Sequence, residues 1–210
     1  MSDPQLSHGL RAVVFDVGET LVDESRMWAG RAAAAGVTPF ALMGVLGALI
    51  ERGEDHRRAW EILGVSQPPA PTCIGPDDLY PDALECLHAA KAAGFIVGIA
   101  GNQPADTAEQ LLALGFKADV IASSAEWGVS KPSETYFAKL IDALGVQPHE
   151  IMYVGDRVDN DIVPAHSVGL RTAFIRRGPW GLIHAGQPEV CIADLQFDSL
   201  SELTAALRHR

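Results

Sequence analysis

Val13-Val14-Phe15-Asp16-Val17-Gly18-Glu19-Thr20-Leu21 decides how the rest of the chain is read. A short apolar run, β-branched and aromatic, stops at an aspartate and is followed by a glycine, a carboxylate and a hydroxyl. This is the pattern of a buried strand that delivers Asp16 to the carboxyl edge of a parallel sheet. Open α/β sheets bind their ligands at that edge.

After this stretch the pattern is first helical, then alternating. Asp23 is placed to cap a helix that starts at Glu24, carries Met27 and Trp28, and ends at Gly36. Thr38 before Pro39 is a second helix start, with Phe40, Met43, Leu46 and Ile50 at helical spacing. A third helix is expected over 54–63, followed by a return through Pro68, Pro69, Pro71 and Pro76. Beyond residue 78, helices from Pro81, Pro104 and Ser133 alternate with strands at 95–100, 119–122 and 151–154. A short helix through His166, a strand at 170–175, a weaker one at 190–193 and a helix at 199–207 complete the chain. Strands alternating with helices imply a parallel sheet covered on both faces. The expected fold is a doubly wound, Rossmann-like α/β core of residues 1–22 and 79–210. A small all-helical cap, residues 23–78, is inserted after the first strand and sits above Asp16.

The 210 residues suit one such domain with its insertion. With 27 acidic and 16 basic residues the net charge is −11. That balance argues against a nucleic-acid partner, which needs phosphate neutralisation by Lys and Arg. It leaves room for a local phosphate site, which needs only one or two cations. Cys73, Cys86 and Cys191 are too far apart for a zinc or redox pair and read as small buried hydrophobes. Residues 1–9 form a polar lead-in without a signal-peptide pattern, and no apolar run approaches the ~20 residues of a membrane span. The expectation is a cytoplasmic protein acting on a small molecule, with no membrane partner and with a homodimer left open.

Three features converge on one sheet edge. They are Asp16 at the end of the first strand, Lys131-Pro132 in the turn before the Ser133 helix, and Gly155-Asp156-Arg157-Val158-Asp159-Asn160-Asp161 after the strand at 151–154. Taken singly, each reads as a cap, a turn or a solvated loop. Together they form a crevice of carboxylates that repel one another unless a cation neutralises them. Oxygen donors without His or Cys suit Mg²⁺. An ionised Asp beside such a cation can attack phosphorus, and Lys131 can orient it and steady phosphoryl oxygens.

In these motifs the chain resembles the haloacid dehalogenase (HAD) superfamily hydrolases, most of which are magnesium-dependent phosphatases. Asp16 with Thr20-Leu21 matches the first motif, Lys131 the lysine of the third, and Gly155-Asp156 with Asp161 the fourth. The resemblance implies that Asp16 is the nucleophile. It also implies that Asp16, the Gly18 carbonyl and Asp156 hold Mg²⁺, with Asp161 in support. Thr20, Gly101, Asn102 and Gln103 are the expected substrate-binding positions.

Two positions depart from the family pattern. Gly18 stands where family phosphatases have a second Asp, the general acid and base. A glycine keeps the carbonyl but loses a group typically worth ~10²–10⁴ in rate. Glu19 is adjacent and could serve only if a turn re-aims it; His56 in the cap is another candidate. The absence of an acid points to leaving groups that need little protonation, such as acyl or aryl phosphates. The motif-two hydroxyl is also missing, since the sequence reads Ala100-Gly101-Asn102-Gln103-Pro104. There the helix opened by Pro104 is expected to present N–H groups to an anion, with Asn102 or Gln103 adding a side-chain donor. A 2-haloacid dehalogenase and a catalytically impaired HAD-fold binding protein stand as alternatives to the phosphatase. Trp127 is expected to pack near the site. The run Arg176-Arg177-Gly178-Pro179-Trp180-Gly181 reads as a surface loop whose tryptophan packs on a neighbour, or as a partner contact.

Overall fold

The computed structural model describes residues 9–69 and 73–208, so the expectations for residues 1–8 and for Pro71 lie outside it. Strand β1 (Ala12–Phe15) is apolar throughout and fully buried. It is followed in chain order by β2 (Ile96–Gly101), β3 (Val120–Ser123), β4 (Ile151–Gly155), β5 (Arg171–Ile175) and β6 (Leu195–Phe197). All pair in parallel, in the order β3-β2-β1-β4-β5-β6. Phe15 lies opposite Ile99 of β2 and Val154 of β4, so β1 and β4 end within one residue of each other while β2 runs two residues further. Strand order reverses between β1 and β4, and such a switch point opens a crevice at the carboxyl ends.

The helices are α1 (Ser25–Ala34), α2 (Pro39–Glu51), α3 (Arg58–Ile62), α4 (Ala83–Ala92), α5 (Thr107–Ala113), α6 (Ser124–Trp127), α7 (Glu134–Leu144), α8 (Val163–Ser167), α9 (Gly178–His184) and α10 (Leu200–Arg208). Side chains alternate across a strand, so β1 feeds two cores. Val13 and Phe15 pack with Leu87 of α4, Leu111 of α5 and Leu203 of α10. Ala12 and Val14 pack with Tyr136, Phe137 and Leu140 of α7 and Ala165 of α8. No single helix among the described residues is long and apolar enough to cross a membrane.

Helices α1–α3 form the cap, with its own core of Trp28, Leu42, Leu46, Leu49, Ile50 and Trp60. Its two connections are tied together at the sheet edge. Val22 bridges Leu79, Asp23 N–H donates to Asp78 O at 2.7 Å, and Tyr80 N–H donates to Leu21 O at 3.0 Å. Thr38 caps α2 by accepting from Ala41 N–H at 3.2 Å.

Several elements differ from the sequence expectation. Asp23 accepts from Ser25 N–H at 2.8 Å, and Glu24 rather than Asp23 is the N-cap position of α1. The buried face of α2 is Leu42, Leu46, Leu49 and Ile50, while Phe40 is 91% exposed. The third helix is limited to α3, because Glu54 and Asp55 are irregular and His56–Arg57 form a turn, with Asp55 accepting from Arg57. Residues 190–193 are not a strand: Pro188 opens a 3₁₀ turn over Pro188–Ile192, and the edge strand is β6. The Arg176 to Gly181 run is not a surface loop but leads into α9, which packs on α2 and places Trp180 in the cap core. Among the cysteines only Cys86 is buried; Cys73 and Cys191 are exposed, and all three are free.

Candidate active site

Asp16 is the first residue beyond β1, and its N–H still donates to Val154 O at 2.9 Å. Its Oδ1 lies 2.7 Å from Lys131 Nζ, and the same ammonium lies 2.5 Å from Asp161 Oδ1. Burial alone would lower the Lys131 pKa, but Asp16 and Asp161 outweigh it and hold the ammonium more firmly protonated than a free lysine. The lysine is positioned by Asn102. Lys131 N–H donates to Asn102 Oδ1 at 2.8 Å, and Asn102 Nδ2 donates back to Lys131 O at 3.0 Å.

After β4 the chain makes one π-helical turn, Val158–Ile162, a wide turn often found at functional sites. It swings Asp161 back over Gly155, where a Cβ would overlap the carboxylate. Both Asp161 oxygens are engaged, one by Lys131 and one by Arg157 N–H at 3.0 Å. Asp156, in contrast, has a buried Oδ2 with no hydrogen-bond partner. Ligand atoms of Asp16, Asp156 and Asp161 all come within 4.8 Å of one another. Burial first, then Asp161 and Asp16, push Asp156 well above the usual carboxylate range. Asp161 is pushed up to about 6, by burial against the opposing pull of Lys131. A buried acidic triad with one lysine and one orphaned oxygen has the donor set and the charge deficit that a hard divalent cation fills.

These groups border a cavity of about 290 Å³ under the cap, lined on the core side by Asp16, Gly18, Lys131, Asp156, Asn102 and Gln103. Two expected substrate-binding residues do not reach it. Thr20 is fully buried and its Oγ1 has no partner. Gly101 ends β2 behind Asp16, where a Cβ would meet Asp16 Oδ1 at 2.7 Å. Asp161 is also absent from the cavity wall and stands behind Lys131. The helix expected at Pro104 begins at Thr107 and is seven residues long, so Pro104 itself does not open it. Trp127 packs on Tyr136, with ring centroids 5.1 Å apart.

Glu19 is indeed turned, adopting φ 53°, a left-handed conformation unusual for a side chain with a Cβ. The turn commits it elsewhere. Its Oε1 accepts from Glu24 N–H at 3.1 Å and its Oε2 from the Tyr80 hydroxyl at 2.6 Å. His56 reaches the cavity wedged between Trp28 and Trp180, at centroid distances of 6.3 and 5.4 Å. Burial and then Arg157 lower its pKa, so it is held neutral.

The space at Gly18 is filled by Glu24. A Cβ on Gly18 would meet Glu24 Oε1 at 2.5 Å, while Glu24 Oε2 accepts from Trp28 Nε1 at 3.3 Å. Burial, then Glu19 and Asp16, push the Glu24 carboxyl up to about 7. Sequence reading treats Glu24 as an ordinary helix-start acid. The missing signal was the tight turn after Asp16, in which Leu21 and Val22 N–H both donate to Val17 O and fold α1 back onto the loop. The sequence also gave no role to Arg31, which lines the same cavity from the cap.

A family model described as haloacid dehalogenase-like hydrolase matches residues 10–169. The chain belongs to the haloacid dehalogenase-like hydrolases. Among its HAD-like relatives, the glyceraldehyde 3-phosphate phosphatase of Methanopyrus kandleri is 28% identical over 230 aligned positions, covering 95% of this chain and 97% of the relative. The phosphoglycolate phosphatase of Mannheimia succiniciproducens is 36% identical over 104 positions, about half of each chain (48% and 46%). Among solved HAD structures, a HAD phosphatase from Thermococcus onnurineus superposes with a TM-score of 0.62 at 22% identity, covering 94% of this chain and 98% of that one. A dehalogenase in an intermediate complex gives 0.66 at 26% identity, covering 94% and 97%. The HAD hydrolase fold, a parallel α/β sheet with a helical cap over its carboxyl edge, is the architecture found here.

Proposed function

We propose that this HAD hydrolase is a Mg²⁺-dependent phosphomonoesterase that cleaves a small phosphorylated metabolite through an aspartyl-phosphate on Asp16. The observation that carries this reading is the Asp16 carboxylate held 2.7 Å from Lys131 Nζ at the sheet edge, beside a buried Asp156 oxygen that has no partner. The phosphatase names of the relatives from M. kandleri and M. succiniciproducens support it.

In this reading Asp16, Asp156 and the Gly18 carbonyl hold the ion, and Asp161 keeps Lys131 in place. When bound, Mg²⁺ neutralises the carboxylates and the phosphoryl oxygens. Asp16 attacks phosphorus as the ester oxygen departs, giving the aspartyl-phosphate and an alkoxide that takes the proton of Glu24. Glu24, now a carboxylate, accepts a proton from water as that water attacks phosphorus. The Asp16–phosphorus bond breaks, releasing inorganic phosphate and restoring both residues. Lys131 meets the phosphoryl charge throughout. With Glu24 as acid, alkyl phosphates come within reach as well as acyl and aryl ones.

Screening a phosphomonoester panel with Mg²⁺, native protein against Asp16→Asn, tests the proposal. Phosphate release by the native protein alone is the expected result. Metal-independent halide release from 2-haloacids, with no phosphate release, would select the dehalogenase reading instead. Mg²⁺ binding without turnover of any panel member would select a binding protein.

A further inference from the structure

We infer that the substrate carries a carboxylate in addition to its phosphate, and that Arg31 of the cap binds it. Arg31 is on α1 and lines the same cavity as Asp16 and Lys131. It is only 8% exposed, and its Nε is buried without a hydrogen-bond partner. Among the described residues it makes no ion pair; its closest polar contact is a long Nη2 donation to Pro68 O at 3.5 Å. A buried guanidinium without a hydrogen-bonded carboxylate is costly, because water is removed and no paired anion replaces it.

The side chain is nevertheless held in one place. Its guanidinium carbon lies 5.0 Å from the Trp28 ring and 5.1 Å from the Trp60 ring. The two indoles immobilise the planar fork and keep it desolvated, which strengthens its hold on an anion. Burial lowers the Arg31 pKa and Glu24, which lines the same cavity, opposes that shift without forming an ion pair with it. A fixed, desolvated guanidinium with an unused donor is suited to a planar carboxylate, which it can meet with two parallel hydrogen bonds. A cavity of about 290 Å³ suits a metabolite of a few carbons. The phosphate sits at Asp16 and Lys131, and the other end of the molecule reaches the cap.

This inference rests on the phosphatase reading, and the experiment separates the two. 3-Phosphoglycerate and glyceraldehyde 3-phosphate differ only in having a carboxylate or an aldehyde at one carbon, and p-nitrophenyl phosphate reports the chemistry without either. With Mg²⁺, the native protein is expected to prefer 3-phosphoglycerate over the aldehyde by roughly 10²-fold in kcat/KM, the scale of one buried charged hydrogen-bonded pair. Arg31→Gln is expected to erase that preference through KM, leaving kcat for p-nitrophenyl phosphate in place. Arg31→Lys should recover only part of it, since an ammonium has the charge but not the fork. Because the readout is a ratio of two substrates within one protein, a loss of folded material does not alter it. Turnover of p-nitrophenyl phosphate with equal kcat/KM for the two triose derivatives, or an undiminished preference in Arg31→Gln, overturns the Arg31 assignment alone. No turnover of any of the three overturns the phosphatase reading and this inference with it.

Discussion

The Glu24 carboxyl occupies the position that a side chain at Gly18 would take: a Cβ there would come within 2.5 Å of Glu24 Oε1. The acid that the first motif lacks is thus matched by one delivered from the first turn of the cap. Glu24 sits six residues beyond the glycine, yet it is carried by a different element. With Glu24 as the proposed acid, proton transfer would be tied to the cap, where family phosphatases place it on the loop itself.

Glu24→Gln is expected to lower kcat for alkyl phosphates by roughly 10²-fold, within the usual range for a general acid, while sparing p-nitrophenyl phosphate, whose leaving group departs unprotonated. The carboxyl must be protonated to act as acid. Its pKa is pushed up to about 7, so the native rate on alkyl phosphates should fall as pH rises through that value. The limb should vanish in the Gln variant. In a Glu24→Ala background, Gly18→Asp restores a carboxyl on the loop and should recover activity. Equal losses on alkyl and aryl substrates would show that Glu24 has only a structural part.

Lys131 answers two buried carboxylates at once, Asp16 at 2.7 Å and Asp161 at 2.5 Å. Replacing it by Met leaves both without their cation. Breaking a buried pair from one side costs about 3–5 kcal/mol, so urea unfolding should show a loss of that order together with loss of turnover. Asp161→Asn added to Lys131→Met removes one of the stranded charges and should return part of the stability but none of the activity. A double variant no more stable than Lys131→Met would mean that the two carboxylates are not held through the lysine.

The parts of the site that the sequence made legible are those set by local pattern. Asp16 and Asp156 each follow an apolar strand that stops sharply, and parallel register brings those ends level. What stayed hidden depended on packing between distant segments. Gly178, Pro179 and Gly181 look like loop formers, yet Pro179 sits in the first turn of α9, where its missing N–H is no loss. Gly181 is there because a Cβ would come within 2.9 Å of Ile175 O. The apolar run at 190–193 looks like a strand, but Val190 turns inward to join Val158, Ile162 and Phe174. Asn102 reads as a phosphate donor by its place after β2, and only the fold shows its amide spanning to the Lys131 backbone.

Restoring a hydroxyl at the end of β2 should not improve the enzyme. The Asp16 carboxylate leans into the space that a side chain at Gly101 would need, with Oδ1 only 2.7 Å from the position of its Cβ, and Lys131 holds it there. Gly101→Ser is expected to push Asp16 off line and reduce kcat by about tenfold or more, since small misplacements of a reacting group are costly. A Gly101→Ser protein faster than the native one would show that Asp16 has room to give way.

The acidic triad should make stability depend on both pH and Mg²⁺. Asp156 lies well above its ordinary pKa, Asp161 is at about 6, and Glu24 at about 7, each raised first by burial. Carboxyls of the unfolded chain titrate near ~4. Between that value and about 7 the folded protein therefore holds more protons than the unfolded one, and these groups withdraw stability as pH rises. His56 and His184, lowered by burial, act in the opposite sense over part of the same range. The informative quantity is the gain in Tm on adding Mg²⁺, which isolates the triad, because the ion replaces the protons that these carboxylates would otherwise keep. That gain should be small near pH 5, grow steadily, and be largest above pH ~7. Asp156→Asn should abolish most of it, while Glu24→Gln should leave it in place. A Mg²⁺ shift independent of pH, or one that survives Asp156→Asn, would place the ion elsewhere in the molecule.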